Sequence, residues 1–366
     1  MTRGRVAVLL AACAVALHAP RAQDAPEAGA PLPTAGPLDL ARSIPPRLRT
    51  QLFREPVAVR VAGPAERRAA AAGWIGEALA ALASPACREV LGPLPVGADA
   101  FAAAWPEGDP VAPPDGAIEL LVPETLPALG ARDVESLETR GVIPFEIMLA
   151  GEWARAVARR HAGPPPADPL LRQARAARLE GVARLAGIAL TVQASGLSLA
   201  DLGQEVLRSD ADEAGWPRAA LVGQARDPVV RAALRAFAED GLRWAAFHFL
   251  RGGVDELIAA IERPGVRPSD LLGPGRAPRR PALPEGGCRI GPRPAAALLV
   301  GDDDPLWVDE LLEDRWRREA GGGTAVSLRF ETEEAAAEAA ADARRRGWEV
   351  VVEGAAMRAR RDGPPR

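Results

Sequence analysis

The chain has 366 residues, 48% of them hydrophobic and 26% charged, which is enough for one large or two modest domains with a real core. It contains no Lys, Asn or Tyr, so all 45 basic residues are Arg, and its only imidazoles are those of His18, His161 and His248. This inventory excludes Schiff-base lysines, tyrosine acids and Asn-linked glycans, and the net charge of −4 argues against a nucleic-acid partner.

The N-terminus has the pattern of a secretory signal, a short basic stretch followed by an apolar run at residues 6–17. That run is too short for a membrane span. Two processing routes stay open. Cleavage after residue 22 would remove a signal peptide, residues 1–22, whereas a bacterial lipobox ending at Cys13 would remove residues 1–12 and leave a lipid on Cys13. Either route predicts an extracytoplasmic protein, periplasmic or secreted, without a membrane span.

Residues 23–47 are rich in Ala and Pro and predict a flexible leader, so the folded chain is expected to begin near residue 48. Periodicity and flanking Gly and Pro then predict a strand at 57–61, a helix at 66–82 and a strand at 117–122.

Long helices follow, bounded by Pro, Gly and Asp. They are predicted at residues 144–162, 168–192 and 228–250. The third is expected to stop at Gly252-Gly253, and a Pro/Gly/Arg-rich connector at 264–284 comes after it. We therefore place a helical domain at residues 48–275.

The C-terminal part has a strand, helix, strand pattern with a further strand after it. The elements are predicted at residues 326–330, 331–346, 348–352 and 356–360. They indicate a small α+β module at residues 285–366, so the predicted fold class is α+β and predominantly helical.

Past the signal, only Cys87 and Cys288 remain. In an oxidising compartment they could form one disulfide. Spacing alone does not show that they are close, so two free thiols are the alternative.

Several short motifs keep a common order along the helical domain. They are Gly151-Glu152-Trp153-Ala154-Arg155, then His161 ten residues after Gly151, then Glu180-Gly181, Gly241, Gly252-Gly253 and the segment 268–274. In order and spacing they resemble a family of secreted bacterial HExxH zinc metallopeptidases of the gluzincin-like type. The resemblance implies a zincin-like helical core.

This chain departs from that family where the metal would bind. An HExxH helix holds Zn²⁺ with two His four residues apart, beside a general-base Glu. Gly151 and Arg155 stand at the two His positions, whereas Glu152 keeps the position of the base and Glu180 that of a third ligand. Two further functional positions of the family are occupied by Gly273 instead of His and by Ala238 instead of Tyr. We therefore predict that zinc is lost and that no cofactor replaces it.

Arg155 lies on the helix face where the metal would sit. Because an uncompensated buried carboxylate is costly, we predict that Arg155 pairs with Glu180, Glu152 or both. The alternative is that Arg155 points into solvent.

Other metal sites are not expected from the remaining candidates. His161 is half a helical turn out of phase with Glu152 and suits the dipole of the helix C-terminus. His248 lies between two phenylalanines on another helix. The run Asp302-Asp303-Asp304 could bind calcium through carboxylates, and a solvated acidic loop is the alternative.

Together these features predict an extracytoplasmic, non-catalytic homologue of a zinc metallopeptidase that serves as a scaffold for a peptide or an envelope protein. Binding in its cleft rests on analogy of fold. Two other functions stay open: a metal-independent hydrolase that uses Glu152 and Glu180, and a structural envelope protein.

Overall fold

The computed structural model describes residues 36–48, 55–93, 108–126, 142–194, 196–201, 225–275, 288–301 and 304–362. The predicted signal segment and Cys13 lie outside these residues. Across the described ranges, no helix has the length and apolar character needed to cross a membrane.

The first element is helix α1, Pro37–Leu48. The sequence assigned these residues to the flexible leader, and for this stretch that prediction is wrong. Leu40, Ala41 and Ile44 are buried in the core. Because these positions fall on one side of a helix, their burial outweighs the disorder that the Ala/Pro-rich composition predicts.

A two-stranded parallel sheet comes next. Its strands are β1, Ala58–Val61, and β2, Glu119–Val122, and the helices between them are α2, Pro64–Ala78, and α3, Pro85–Leu91. Val59 lies opposite Leu120, and Val111 adds an isolated antiparallel bridge to Leu121 on β2. The predicted strands and the first predicted helix are confirmed, and their ends differ from the prediction by a few residues.

The core of the domain is built from long helices. They are α4, Pro144–Ala162, α5, Pro169–Ala194, α6, Pro228–Arg235, and α7, Gly241–Glu262. The bounds of α4 are those predicted, and Asp168 caps α5 by accepting the Leu170 N–H at 2.8 Å.

The third predicted helix differs from the structure in its first part, where a π-helical turn, Ala236–Asp240, joins α6 to α7. The backbone leaves helical geometry at Gly252 and Gly253, so α7 consists of two helical segments that meet at this pair. The first segment therefore ends at the Gly-Gly pair, as predicted.

Helices α5 and α7 meet at Gly181 and Gly241. A Cβ built on Gly181 would lie 1.9 Å from the carbonyl oxygen of Gly241, and one built on Gly241 would lie 1.8 Å from the carbonyl oxygen of Ala177. The two backbones can approach this closely only because both residues lack a side chain.

The C-terminal module follows the short helix α8, Pro268–Leu272. Its elements are α9, Pro292–Val300, β3, Leu311–Arg318, β4, Thr324–Phe330, α10, Glu333–Arg345, β5, Glu349–Glu353, and β6, Ala356–Arg361. The strands form an antiparallel sheet in the order β3-β4-β6-β5, and α10 packs on one face of it. The predicted α+β, predominantly helical class is confirmed.

Candidate functional site

Glu152, Arg155 and Glu180, which we call the triad, come together inside the protein. Glu152 and Arg155 lie one turn apart on α4, and Glu180 faces them from α5. The Arg155 Nη2 donates to Glu180 Oε2, and Arg155 Nε lies 3.5 Å from Glu152 Oε1. All three side chains are 0% exposed. Arg155 therefore pairs with both carboxylates, and the alternative that it points into solvent is wrong.

An aromatic ring and a backbone segment close this triad on another side. The Arg155 guanidinium carbon lies 4.8 Å from the centroid of the Trp74 ring, within the range of a cation-π contact. Trp74 Nε1 donates to the carbonyl of Ala112 at 2.6 Å, and the Ala112 N–H donates to Glu152 Oε2 at 2.8 Å. Arg155 and Glu152 thus each contact a group outside the triad.

The segment that carries Ala112 is itself held on both sides. Val111 exchanges two backbone hydrogen bonds of 2.9 Å with Leu121 of β2. Arg159, one turn after Arg155 on α4, donates to four backbone carbonyls of the segment 113–117. These are the carbonyls of Pro113, Asp115, Gly116 and Ala117. The segment is therefore anchored over the triad by α4, the same helix that carries Glu152.

The other positions singled out by the resemblance lie in helical structure or directly after it. Gly151 is buried within α4, and Gly273 follows the last residue of α8. Ala238 lies in the π-helical turn, where its carbonyl accepts a hydrogen bond from the buried Arg184. None of the three side chains can ligate a metal or transfer a proton.

The two described histidines have carboxylate partners. His161 lies 2.6 Å from Glu55 through Nε2 and 3.0 Å from Glu262 through Nδ1. Burial disfavours the charged ring, but the hydrogen bonds to Glu262 and Glu55 outweigh burial and raise the pKa of His161. The ring of the buried His248 is tilted against that of Trp244, with centroids 4.8 Å apart, and Nδ1 lies 3.1 Å from Glu256. Burial lowers the pKa of His248.

The remaining predicted sites have simple outcomes. Cys87 and Cys288 form a disulfide, so the alternative of two free thiols does not hold in this structure. Asp304 pairs with Arg293 at 2.8 Å, whereas Asp302 and Asp303 lie outside the described residues.

The sequence did not predict the residues outside the triad that contact it. Trp74 lies on α2 and Ala112 in a loop, both far from α4 along the chain. A second buried pair, Glu77 with Arg175 at 3.1 Å, was missed as well. The signal in the sequence for such pairs was the series of arginines at helical spacing on α5, because an arginine inside a core needs hydrogen-bond acceptors.

Comparisons with family models, with curated proteins and with solved structures give no match for this chain.

The donor set around the triad does not fit a zinc ion. Catalytic zinc takes three protein ligands and a water, usually with imidazole among the ligands. Here the Arg155 guanidinium already compensates Glu152 and Glu180, and a zinc ion bound to those carboxylates would be repelled by it. Among the described residues, no group of three His, Cys, Asp or Glu side chains is placed to hold a metal.

Proposed function

We propose that this chain is a non-catalytic, extracytoplasmic scaffold protein related to zinc metallopeptidases, in which an ion-pair core replaces the metal site. The observation that carries the proposal is the Glu152–Arg155–Glu180 triad, whose three side chains are all 0% exposed. A catalytic group must reach its substrate within hydrogen-bond distance, and these groups are already enclosed.

The alternative of a metal-independent hydrolase fits the geometry less well. An acid/base pair needs two carboxylates whose environments push their pKa values apart and which both face a substrate. Glu152 and Glu180 share one arginine, and Glu152 also accepts the Ala112 N–H at 2.8 Å. Both carboxylates are thus engaged in holding helices and a loop together.

An extracytoplasmic location is supported by the disulfide between Cys87 and Cys288. Structural disulfides persist in oxidising compartments and are rare in the cytosol. The signal-like N-terminus agrees with this location, and the choice between free secretion and a lipid on Cys13 follows from the mass of the mature N-terminus.

The test compares peptide hydrolysis by the wild type with hydrolysis by Glu152→Gln and Glu180→Gln, using a mixture of fluorogenic peptides with and without added zinc. We expect background hydrolysis from all three proteins. The matched control is Glu77→Gln, which alters a buried Glu–Arg pair outside the triad. Wild-type hydrolysis that is abolished in both triad variants but retained in the folded control would overturn the proposal.

A further inference from the structure

His161 connects three parts of the helical domain through its two ring nitrogens. It lies in the last turn of α4, and its Nε2 is 2.6 Å from a carboxylate oxygen of Glu55, which precedes β1. Its Nδ1 is 3.0 Å from a carboxylate oxygen of Glu262, the last residue of α7. The side chain of His161 is 18% exposed, so water screens these contacts only in part. We call these three side chains the histidine latch.

Both contacts of the histidine latch require a protonated ring. An ionised carboxylate only accepts hydrogen bonds, and a neutral imidazole carries one N–H and one acceptor nitrogen. Only the imidazolium can therefore donate to Glu55 and Glu262 at the same time. A neutral ring would turn a lone pair toward one of the two carboxylates, and that contact would become repulsive.

The two carboxylates of the latch are not held equally. Glu55 also accepts a hydrogen bond from Arg160 Nη1 at 2.6 Å, and Arg160 in turn donates to the carbonyl of Pro56 at 3.1 Å. Glu262 is 54% exposed, and His161 is its one ion-pair partner among the described residues. When the ring is neutral, its remaining N–H therefore stays on Glu55, and the contact with Glu262 is lost.

Other charged groups around α4 do not replace the latch. Arg263 follows Glu262 but is exposed to solvent, where its charge is screened. Charged side chains on α1, α5 and β2, which pack against α4, have partners of their own. These pairs are Arg47 with Glu146, Arg175 with Glu77, and Glu119 with Arg60.

Loss of the Glu262 contact would free only the end of α7. From α5, Arg178 Nη1 donates to the carbonyls of Ala260 at 3.4 Å and Ile261 at 3.1 Å. Arginine keeps its charge over the pH range in which histidine titrates, so these bonds persist. The main part of α7 therefore stays in place, while its last turn and the segment 263–267, which leads to α8, lose an attachment to α4.

We propose that the histidine latch is a pH-sensitive switch, which holds the end of α7 on α4 while His161 is protonated and releases it when His161 loses its proton. Burial lowers the pKa of His161, but the hydrogen bonds to Glu262 and Glu55 outweigh burial and raise it above the ordinary value of 6.5. The latch is thus closed near pH 6.5 and opens as the pH rises through the folded-state pKa. This switch does not depend on whether the triad is catalytic.

His248 does not form such a latch. It meets one carboxylate, that of Glu256, through Nδ1 at 3.1 Å, and its side chain is 3% exposed. Burial lowers its pKa, so His248 gains its proton only at a more acidic pH than an ordinary histidine. A variant of His161 that retains His248 therefore separates the effects of the two rings.

The experiment measures hydrogen exchange of backbone amides by mass spectrometry at about pH 5.5 and about pH 8.5, with rates corrected for their intrinsic pH dependence. The full wild-type chain is compared with His161→Gln, which removes the titrating ring, and with Glu262→Gln, which removes its partner. The matched control is Asp255→Asn, which neutralises an exposed carboxylate on the same segment of α7. Amides of α10 report on global unfolding and show whether each variant is folded.

In the wild type and in Asp255→Asn, we expect the protection of residues 258–262 to fall at least about threefold from the lower to the higher pH. The protection of α10 should stay constant. In His161→Gln and Glu262→Gln, residues 258–262 should have the lower protection at both pH values. No change in the wild type, or an equal fall in His161→Gln, would overturn the proposal. A fall that α10 shares to the same extent would also overturn it, because it would report global unfolding.

Discussion

Arg155 and Glu180 form an ion pair between α4 and α5 in which neither side chain is exposed to solvent. A buried charge is tolerated only when it is paired and hydrogen-bonded. The pair therefore places a fixed cation in the helix core between α4 and α5.

Removal of Arg155 should be strongly destabilising. Arg155→Met leaves two buried carboxylates without a counter-charge, so we expect a loss of about 3–5 kcal/mol in the free energy of unfolding. Adding Glu180→Gln to that variant should recover part of the loss, because one of the uncompensated charges is then removed. Urea unfolding, monitored by circular dichroism, measures the free energy of unfolding of the single and the double variant.

Arg160 on the same helix is the control for this prediction. Its side chain is 41% exposed and pairs with Glu55 at the surface. Arg160→Met should cost less than about 1 kcal/mol. If Arg155→Met lowered the free energy of unfolding no more than Arg160→Met does, the triad would not stabilise the fold as we propose.

The close approach of α5 and α7 predicts a strong effect of a single methyl group. In Gly181→Ala the new Cβ meets the backbone of Gly241 at 1.9 Å, and backbone cannot give way as a side chain can. We expect a loss of at least about 3 kcal/mol or failure to fold. Gly76→Ala in α2 is the matched control, since a Cβ there meets nothing within 4 Å. It should be neutral or stabilising by up to about 1 kcal/mol, measured by thermal unfolding.

The raised pKa of His161 should make the stability of the protein depend on pH. Its pKa lies above the ordinary value of 6.5, so its contribution is complete below pH 6.5 and is lost as the pH rises through the folded-state pKa. The partner Glu55 makes the stability depend on pH in the acidic range as well. Burial raises the pKa of Glu55, but His161 and Arg160 outweigh burial and lower it, so its contribution is lost as the pH falls below 4.5.

The measurement compares wild type with His161→Gln, whose side chain can donate and accept hydrogen bonds but does not titrate in this range. The stability difference should be about 1 kcal/mol near pH 5.5 and should shrink by pH 8.5. A difference that stays constant or grows between those two pH values would contradict the assigned role of His161.

The disulfide between Cys87 and Cys288 closes a loop with a sequence separation of 201 residues. It ties α3 to the segment that bridges Trp316 of β3, so it joins the helical domain to the C-terminal module. The double variant Cys87→Ser and Cys288→Ser should lose about 2–5 kcal/mol relative to the oxidised protein. Mass spectrometry after thiol alkylation should find no free thiol at either position, and two alkylated cysteines in the folded protein would contradict the pairing.

Local signals in the sequence predicted the long helices well. Pro144 at the start of α4, Gly163 after its end and the cap Asp168 before α5 act through backbone geometry, which needs no tertiary contact. α1 and β3 were missed for the opposite reason. α1 is stabilised by burial of Ile44 and its neighbours, and β3 is rich in charge but buries Trp316 against the rest of the module.

The site was predicted in part. Helical spacing placed Glu152 and Arg155 on one face of α4, and the resemblance singled out Glu180 on the next helix. The cost of an unpaired buried charge then predicted that Arg155 pairs with Glu180, Glu152 or both. The contacts of Trp74 and Ala112 with the triad join distant parts of the chain, so no local pattern could have given them.

The most direct measurement is the zinc content of the purified protein after incubation with excess zinc and removal of free metal. Our account predicts far less than one zinc per chain, because the Arg155 guanidinium occupies the space between Glu152 and Glu180. One tightly bound zinc per chain that is lost in Glu180→Gln would contradict it.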